Sequence, residues 1–218
     1  MWSPYSAESL ATVPEPELVR RLLADPHWRD RILRIHGIPE NVNDYPEVIH
    51  DELGKSGDID ILVVDPTRPQ FATGVQVKRV KVSAGAFQTG MPNRLTAIAE
   101  LHRQASLLVH LGFWQVFSYA LVVVDSRELN QGKYTFDGLT RELRATIDSA
   151  ITTTGLHTNA GFIQFELTQP MDDSPLGTGT FFSKIHRMPT VQPQPDGITT
   201  WVARVVAERD TSQETPSK

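Results

Sequence analysis

Apolar residues recur along this chain with two periods, and the switch between them divides its middle. Between residues 58 and 82 they fall into two short runs. Asp58–Asp65 is rich in β-branched residues and closed by Pro66, which predicts a strand. Phe71–Val82 predicts a second, across a turn at Pro66–Pro69. The period then changes. Leu95, Ile98, Leu101, Ala105, Leu108 and Leu111 recur at three- and four-residue steps, which predicts an amphipathic helix over 94–111 ended by Gly112. Val116–Val124 follows as a buried strand ended by Asp125, Leu139–Ile151 as a helix facing inward through Leu143 and Ile147, and Phe162–Leu167 as a strand. Thr180–Ile185 reads as an edge strand.

Upstream, residues 14–24 predict a helix capped by Thr12, with Pro14 early in it and Leu18, Val19, Leu22 and Leu23 on one face. His27–His36 predicts a second, ended by Gly37 and Pro39. Residues 38–47, with Pro39, Pro46, Asn41, Asn43 and Asp44, read as loop. Val48–Leu53 fits a strand or a helical turn, and Gly54–Gly57 is a turn signal. The order favours an α/β fold, a mixed central β-sheet flanked by helices. Residues 1–190 read as one domain. Residues 191–218 read as a Pro-rich linker at Gln192–Gly197, a short helix over Ile198–Glu208 and a polar tail from Thr211 with the composition of disorder.

The chain has 218 residues, 39% of them apolar and 22% charged, enough for a sizeable core without staples. It has no cysteine, which excludes disulfides, thiolate metal sites and cysteine nucleophiles. No apolar run nears the ~20 residues that span a bilayer, and the N-terminus lacks the pattern of a signal peptide. A cytoplasmic protein without membrane contact is expected. The net charge of −5 counts against coating nucleic acid by charge alone, though not against a local basic cleft or a partner that supplies the grip.

Charge inside the two apolar strands is the strongest chemical signal. Alternation places Asp58, Asp60, Leu62 and Val64 on one face and Ile59, Ile61 and Val63 on the other. In the next strand Gln76 and Lys78 share a face. If the strands pair across the turn, Asp60, Gln76 and Lys78 converge. Charge in an apolar strand needs a partner, and a divalent metal with a phosphate would serve. Asp60 offers a hard anionic oxygen and Gln76 a neutral one. Lys78 can orient a water and stabilise charge developing on phosphorus oxygens. Such a cluster suits phosphodiester hydrolysis.

These residues resemble the PD-(D/E)XK, or restriction-endonuclease-like, nuclease superfamily. Gly57-Asp58-Ile59-Asp60-Ile61-Leu62 is similar to its Gly-x-Ile-Asp strand. Gln76-Val77-Lys78 is similar to its acid-x-Lys strand, in the Gln-x-Lys form of Mrr-type restriction enzymes. The resemblance covers residues 14–125 and implies a core of order α-β-β-β-α-β with a C-terminal extension. It implies a Mg²⁺- or Mn²⁺-dependent endodeoxyribonuclease with Asp60, Gln76 and Lys78 as catalytic residues. Asp60, Gln76 and a helix glutamate would be the metal ligands. Glu15 suits that last role, since it precedes Leu18 and Val19 on the inward face while Glu17 falls off it. Asp51 and Glu52 are rivals, Asp51 by sitting across a hairpin from Asp60. Gln76 departs from the usual acid and removes one negative charge.

The resemblance further implies DNA as substrate and a role in prophage, restriction or anti-phage defence, while the small size and acidic charge suggest a partner, either a second copy in a homodimer or a larger subunit such as a helicase or ATPase. The alternative is a non-catalytic member of the fold that binds nucleic acid or scaffolds a partner. Some nucleases of this type use a glutamine on the following helix, where Gln104 and His102 stand, but both read more simply as a solvated helix face. Arg20, Arg21, Arg29, Arg31 and Arg34 make the first helices basic, and they too read as solvated. The seven histidines show no zinc spacing, and neither a phosphate-binding Gly-x₄-Gly-Lys loop nor a Gly-x-Ser-x-Gly elbow is present.

Overall fold

The computed structural model describes residues 12–33, 38, 42–51, 58–92, 95–125, 138–168 and 181–213. Six strands form one sheet in sequence order: β1 Asn43–Ile49, β2 Asp58–Val64, β3 Thr73–Val82, β4 Gln115–Val124, β5 Gly161–Thr168 and β6 Phe181–Arg187. β1–β2, β2–β3 and β5–β6 pair antiparallel, whereas β3–β4 and β4–β5 pair parallel. Parallel neighbours require a crossover. Helix α4 (Ala97–Leu111) lies in the first and α5 (Arg141–Ala150) in the second. The remaining α-helices among the described residues are α1 Glu15–Ala24, α2 Pro26–Leu33, α3 Ala84–Thr89 and α6 Asp196–Gln213. The chain is a mixed α/β fold with its sheet flanked by helices.

Each sheet face carries its own core. On one, Leu62, Val64, Val80, Val82 and Val122 pack under α4, α5 and α6. On the other, Ile61, Val63, Val75, Val77 and Leu121 pack under α1 and α2. β3, β4 and β5 are buried along nearly their whole length, on both sides of the sheet. The β2–β3 turn is held by Asp65, whose side chain accepts from Thr67 Oγ1 at 2.6 Å and from Arg68 Nε at 2.7 Å. Those bonds push its carboxyl down to about 2.

Several expectations are corrected. The segment read as loop holds Asn43 to Glu47 of β1, Pro46 included, and the strand alternative offered for Val48–Leu53 holds only as far as Ile49. β1 is an edge strand paired only with β2, and an edge tolerates a residue without an N–H. The C-terminal helix is not short. It spans Asp196–Gln213, takes in Thr211, and buries Ile198, Val202, Val205 and Val206 in the core beneath α4. α1 is capped by the backbone of Pro14 rather than by the Thr12 side chain, which puts Glu15 at its first turn. The short α3 gave no periodic signal because it is only six residues long. Arg34, Gly37, Pro39, Glu52, Gly54–Gly57 and Thr180 lie outside the described residues.

Candidate active site

β2 and β3 form a fork. They pair only at Ile61↔Val75, Leu62↔Gly74 and Val63↔Thr73, while β3 continues to Val82 alongside β4. Beyond Val75, the side of β3 that faced β2 presents the N–H groups of Val77 and Arg79, and buried N–H groups must be paired. Two carboxylates do this. Asp60 Oδ2 accepts from Val77 N at 2.7 Å. Glu15 Oε2 accepts from Arg79 N at 2.6 Å. A third link crosses the fork from Gln76 Nε2 to the carbonyl of Asp58 at 2.9 Å.

Asp60 reaches this place because alternation fails at it. Leu62 and Val64 join the α4-side core and Ile61 and Val63 the α1-side core, yet Ile59 packs with Leu62 rather than with Ile61. The expectation that Ile59 shares a face with Ile61 and Val63 is thus overturned. The cause lies across the ladder. Pairs 46↔61 and 48↔59 flank Glu47 and Asp60, and Glu47 has a left-handed backbone with φ 51°. Tyr45 and Val48, three apart, both enter the α4-side core. Both strands therefore change face at one register point, and Asp60 turns into the gap between β2 and β3. The residue across from Asp60 is Glu47, not Asp51, which is exposed beyond the end of β1.

Glu15 arrives from α1, anchored on the opposite face through Leu18, Val19, Leu22 and Leu23. Its Oε1 pairs with Lys78 Nζ at 3.1 Å, with the two side chains 13% and 19% exposed. Glu17 is turned away, bound to Arg20 and Arg21. Glu15, Asp60, Gln76 and Lys78 therefore meet at the fork.

The fork's electrostatics are finely balanced. Burial pushes the Asp60 carboxyl up to about 6, against the Val77 hydrogen bond and the Lys78 charge, with the Glu15 and Asp58 carboxylates adding to the rise. Gln76 is 1% exposed. A carbonyl accepts only from a donor, so Asp58 O fixes the amide with Nε2 toward it and leaves Oε1 as the acceptor. Two carboxylates and a neutral amide oxygen form a hard donor set that fits Mg²⁺ or Mn²⁺, which take one or two carboxylates and complete their shell with water and phosphate. Among the described residues no three His, Cys, Asp or Glu side chains gather around a common point, so the amide would have to contribute.

Two nearby residues escaped the sequence. Glu47 gives no local signal, because a left-handed glutamate looks like any other. Glu100 lies in the first turn of α4, its carboxyl lowered first by Arg103 and further by the Lys78 charge. An acid opening the crossover helix was the available clue.

Other candidates resolve differently. His102 is not on a solvated face. It is 2% exposed, with Nε2 at 2.6 Å from Thr152 O and its ring edge-on to Phe162. Burial holds its imidazole below the ordinary value. Gln104 is half-buried. The basic first helices are internally committed: Arg20 to Glu17 and Glu47, Arg21 to Glu17, and Arg29 to Asp44 and Val42 O. Arg31 lies over Phe181, and Arg79 is 2% exposed. No helix among the described residues is long and apolar enough to cross a membrane.

The fold and site together define a mixed α/β chain with a carboxylate–amide–lysine cluster at a strand fork. No protein-family model matches the chain, and no curated protein sequence matches it. Among solved structures it is similar to the SPO1766 protein of unknown function from Silicibacter pomeroyi. That likeness has 13% identity over 81% of this chain and 82% of the other, with a TM-score of 0.35.

Proposed function

We propose that this chain is a metal-dependent nuclease with a restriction-endonuclease-like core, hydrolysing phosphodiester bonds in DNA. The observation that carries the reading is the meeting of Glu15, Asp60, Gln76 and Lys78 where β2 leaves β3. The order α1-β1-β2-β3-α4-β4, with α2, a short 3-10 turn at Pro69–Phe71 and α3 interposed, supports it.

In this reading Asp60, Glu15 and Gln76 Oε1 hold Mg²⁺ or Mn²⁺. The ion, when bound, lowers the pKa of water and shields the phosphate. Glu15 holds the Lys78 ammonium in place, where it orients the attacking water and stabilises negative charge growing on the phosphoryl oxygens. Asp60, ionising near pH 6, is mostly in its ligand form at neutral pH. The described arginines leave little basic surface uncommitted, so a second copy or a larger partner, such as a helicase or ATPase subunit, holds the DNA.

One observation favours the non-catalytic alternative. Both Glu15 oxygens are already engaged, by Lys78 and by Arg79 N, and Gln76 brings no charge. Purified protein with Mg²⁺ or Mn²⁺ and plasmid or linear DNA decides, beside Asp60→Ala and Lys78→Ala. Cleavage lost in both variants supports the nuclease. Absence of cleavage by the folded wild type supports the alternative, and cleavage untouched by either substitution removes the site assignment.

A further inference from the structure

Glu47 holds a backbone conformation that side chains bearing a Cβ rarely adopt, at φ 51°. It does so in mid-strand, at the register point opposite Asp60. Such strain persists only where surrounding contacts impose it, and here two elements do. Arg20 of α1 donates from Nε to Glu47 Oε2 at 3.0 Å. Arg209 of α6 donates from its guanidinium to Glu47 O at 3.3 Å. Two residues back, the Tyr45 hydroxyl donates to Asp210 Oδ1 of α6 at 3.1 Å. The kink is thus clamped from a helix on each sheet face.

We propose that Glu47 is a positioning residue for Asp60, its left-handed turn being held by Arg20 and Arg209 so that Asp60 faces the fork. The proposal draws its functional meaning from the reading of Asp60 as a metal ligand, while its geometry stands apart from that reading. β1 and β2 change face together at Glu47 and Asp60, and this rotation takes Asp60 out of the ladder and onto Val77 N. With an ordinary extended residue 47, β2 would keep its alternation and Ile59 would turn toward the α1-side core. Neither arginine touches the fork.

The test is a release and a rescue, read by amide hydrogen exchange at Val77 against Val122, fully buried in β4 between β3 and β5, which reports global unfolding. The Arg20→Ala/Arg209→Ala pair removes the clamps at exposed positions. Val77 protection should fall by about tenfold, the scale of the left-handed penalty, with Val122 unchanged. Adding Glu47→Gly should restore it, because glycine adopts the conformation unaided. Should the pair fail to fold, Glu47→Val gives the same reading: it removes the carboxylate that Arg20 holds, leaves only the Arg209 bond to the backbone carbonyl, and adds the higher cost of a β-branched residue in the left-handed region. Unchanged Val77 protection in the clamp-free variant, or no rescue by glycine, overturns the proposal. Mn²⁺ binding measured in parallel should weaken and recover in step. A wild type that binds no Mn²⁺ but shows the exchange pattern refutes the nuclease reading alone.

Discussion

The Asp60 carboxylate accepts the Val77 N–H at 2.7 Å where a continued β2–β3 ladder would bring the Ile59 backbone instead. One side chain thus closes a gap in the sheet and stands ready as a ligand. The two duties conflict in the metal-free protein, because a buried carboxylate beside Glu15 and Asp58 resists ionisation.

The pH dependence of stability follows. Asp60 ionises near 6 when folded, above its ordinary 3.8. Its contribution is fully present below about pH 4 and is lost as pH rises through 6, by up to about 3 kcal/mol at pH 8. Asp60→Asn keeps an acceptor for Val77 N and cannot ionise. In EDTA, urea unfolding should show it gaining on the wild type between pH 5 and pH 8. A constant difference across that range would contradict the ionisation.

Lys78 and Glu15 should fail in different ways. Lys78→Ala removes the charge that orients water, and cleavage should fall at least about 100-fold. Lys78→Arg should not restore it, because a planar guanidinium cannot replace a compact ammonium. Glu15→Gln presents an amide where Arg79 N and Lys78 Nζ both donate, and one donor loses its acceptor. It should cost about 1–3 kcal/mol in chemical denaturation besides weakening metal binding.

Much of this was legible in the chain and some was not, for physical reasons. β3, β4 and α4 carry strong periods because sheet and helix bury each other's apolar stripes, and their bounds moved by at most three residues. The meeting of Asp60, Gln76 and Lys78 followed from one short turn. β1 was hidden because Pro46 and its polar neighbours suit an edge, where half the ladder is absent. The face change at Asp60 was hidden because its cause, Glu47, acts across the ladder. α6 was clipped because Thr211 looks like tail, although Tyr45 and Glu47 on β1 bond its neighbours Asp210 and Arg209.

Tyr119 tests the core away from the site. It is wholly buried beneath α1 and α2, and its hydroxyl has no hydrogen-bond partner among the described residues. An unpaired buried hydroxyl costs about 1–3 kcal/mol. Tyr119→Phe removes only that oxygen and should leave stability unchanged or raise it by about 1 kcal/mol in urea. A clear loss of stability would show that the hydroxyl has a partner in solution.

Gly112 tests the seat of the C-terminal segment. It ends α4 at φ 93°, its N–H bonding the carbonyls of Leu108 and Val109. A Cβ there would lie 2.6 Å from Pro195 Cδ and 2.8 Å from Cγ. Gly112→Ala combines a left-handed penalty of about 1 kcal/mol with this clash, and Pro195 immediately precedes α6. Thermal unfolding should show a loss of about 2 kcal/mol or more, whereas Gly155→Ala, also left-handed but with open space around it, should show only the backbone part.

Gln76 separates a working site from a retired one. Its amide donates to Asp58 O, which a glutamate carboxylate cannot do. Gln76→Glu therefore sets two acceptors against each other and adds charge beside Asp60 and Glu15. Metal-free stability should fall by about 1–3 kcal/mol at pH 8. The same added charge strengthens a cation site, so if the fork binds metal the loss should reverse when Mn²⁺ is added. The Mn²⁺-induced rise in melting temperature should then exceed that of the wild type, since a ligand bound only by the native state stabilises in proportion to its affinity. A variant that is destabilised and unmoved by Mn²⁺ would mean that the fork's carboxylates serve Val77 and Arg79 alone, and the non-catalytic reading would follow.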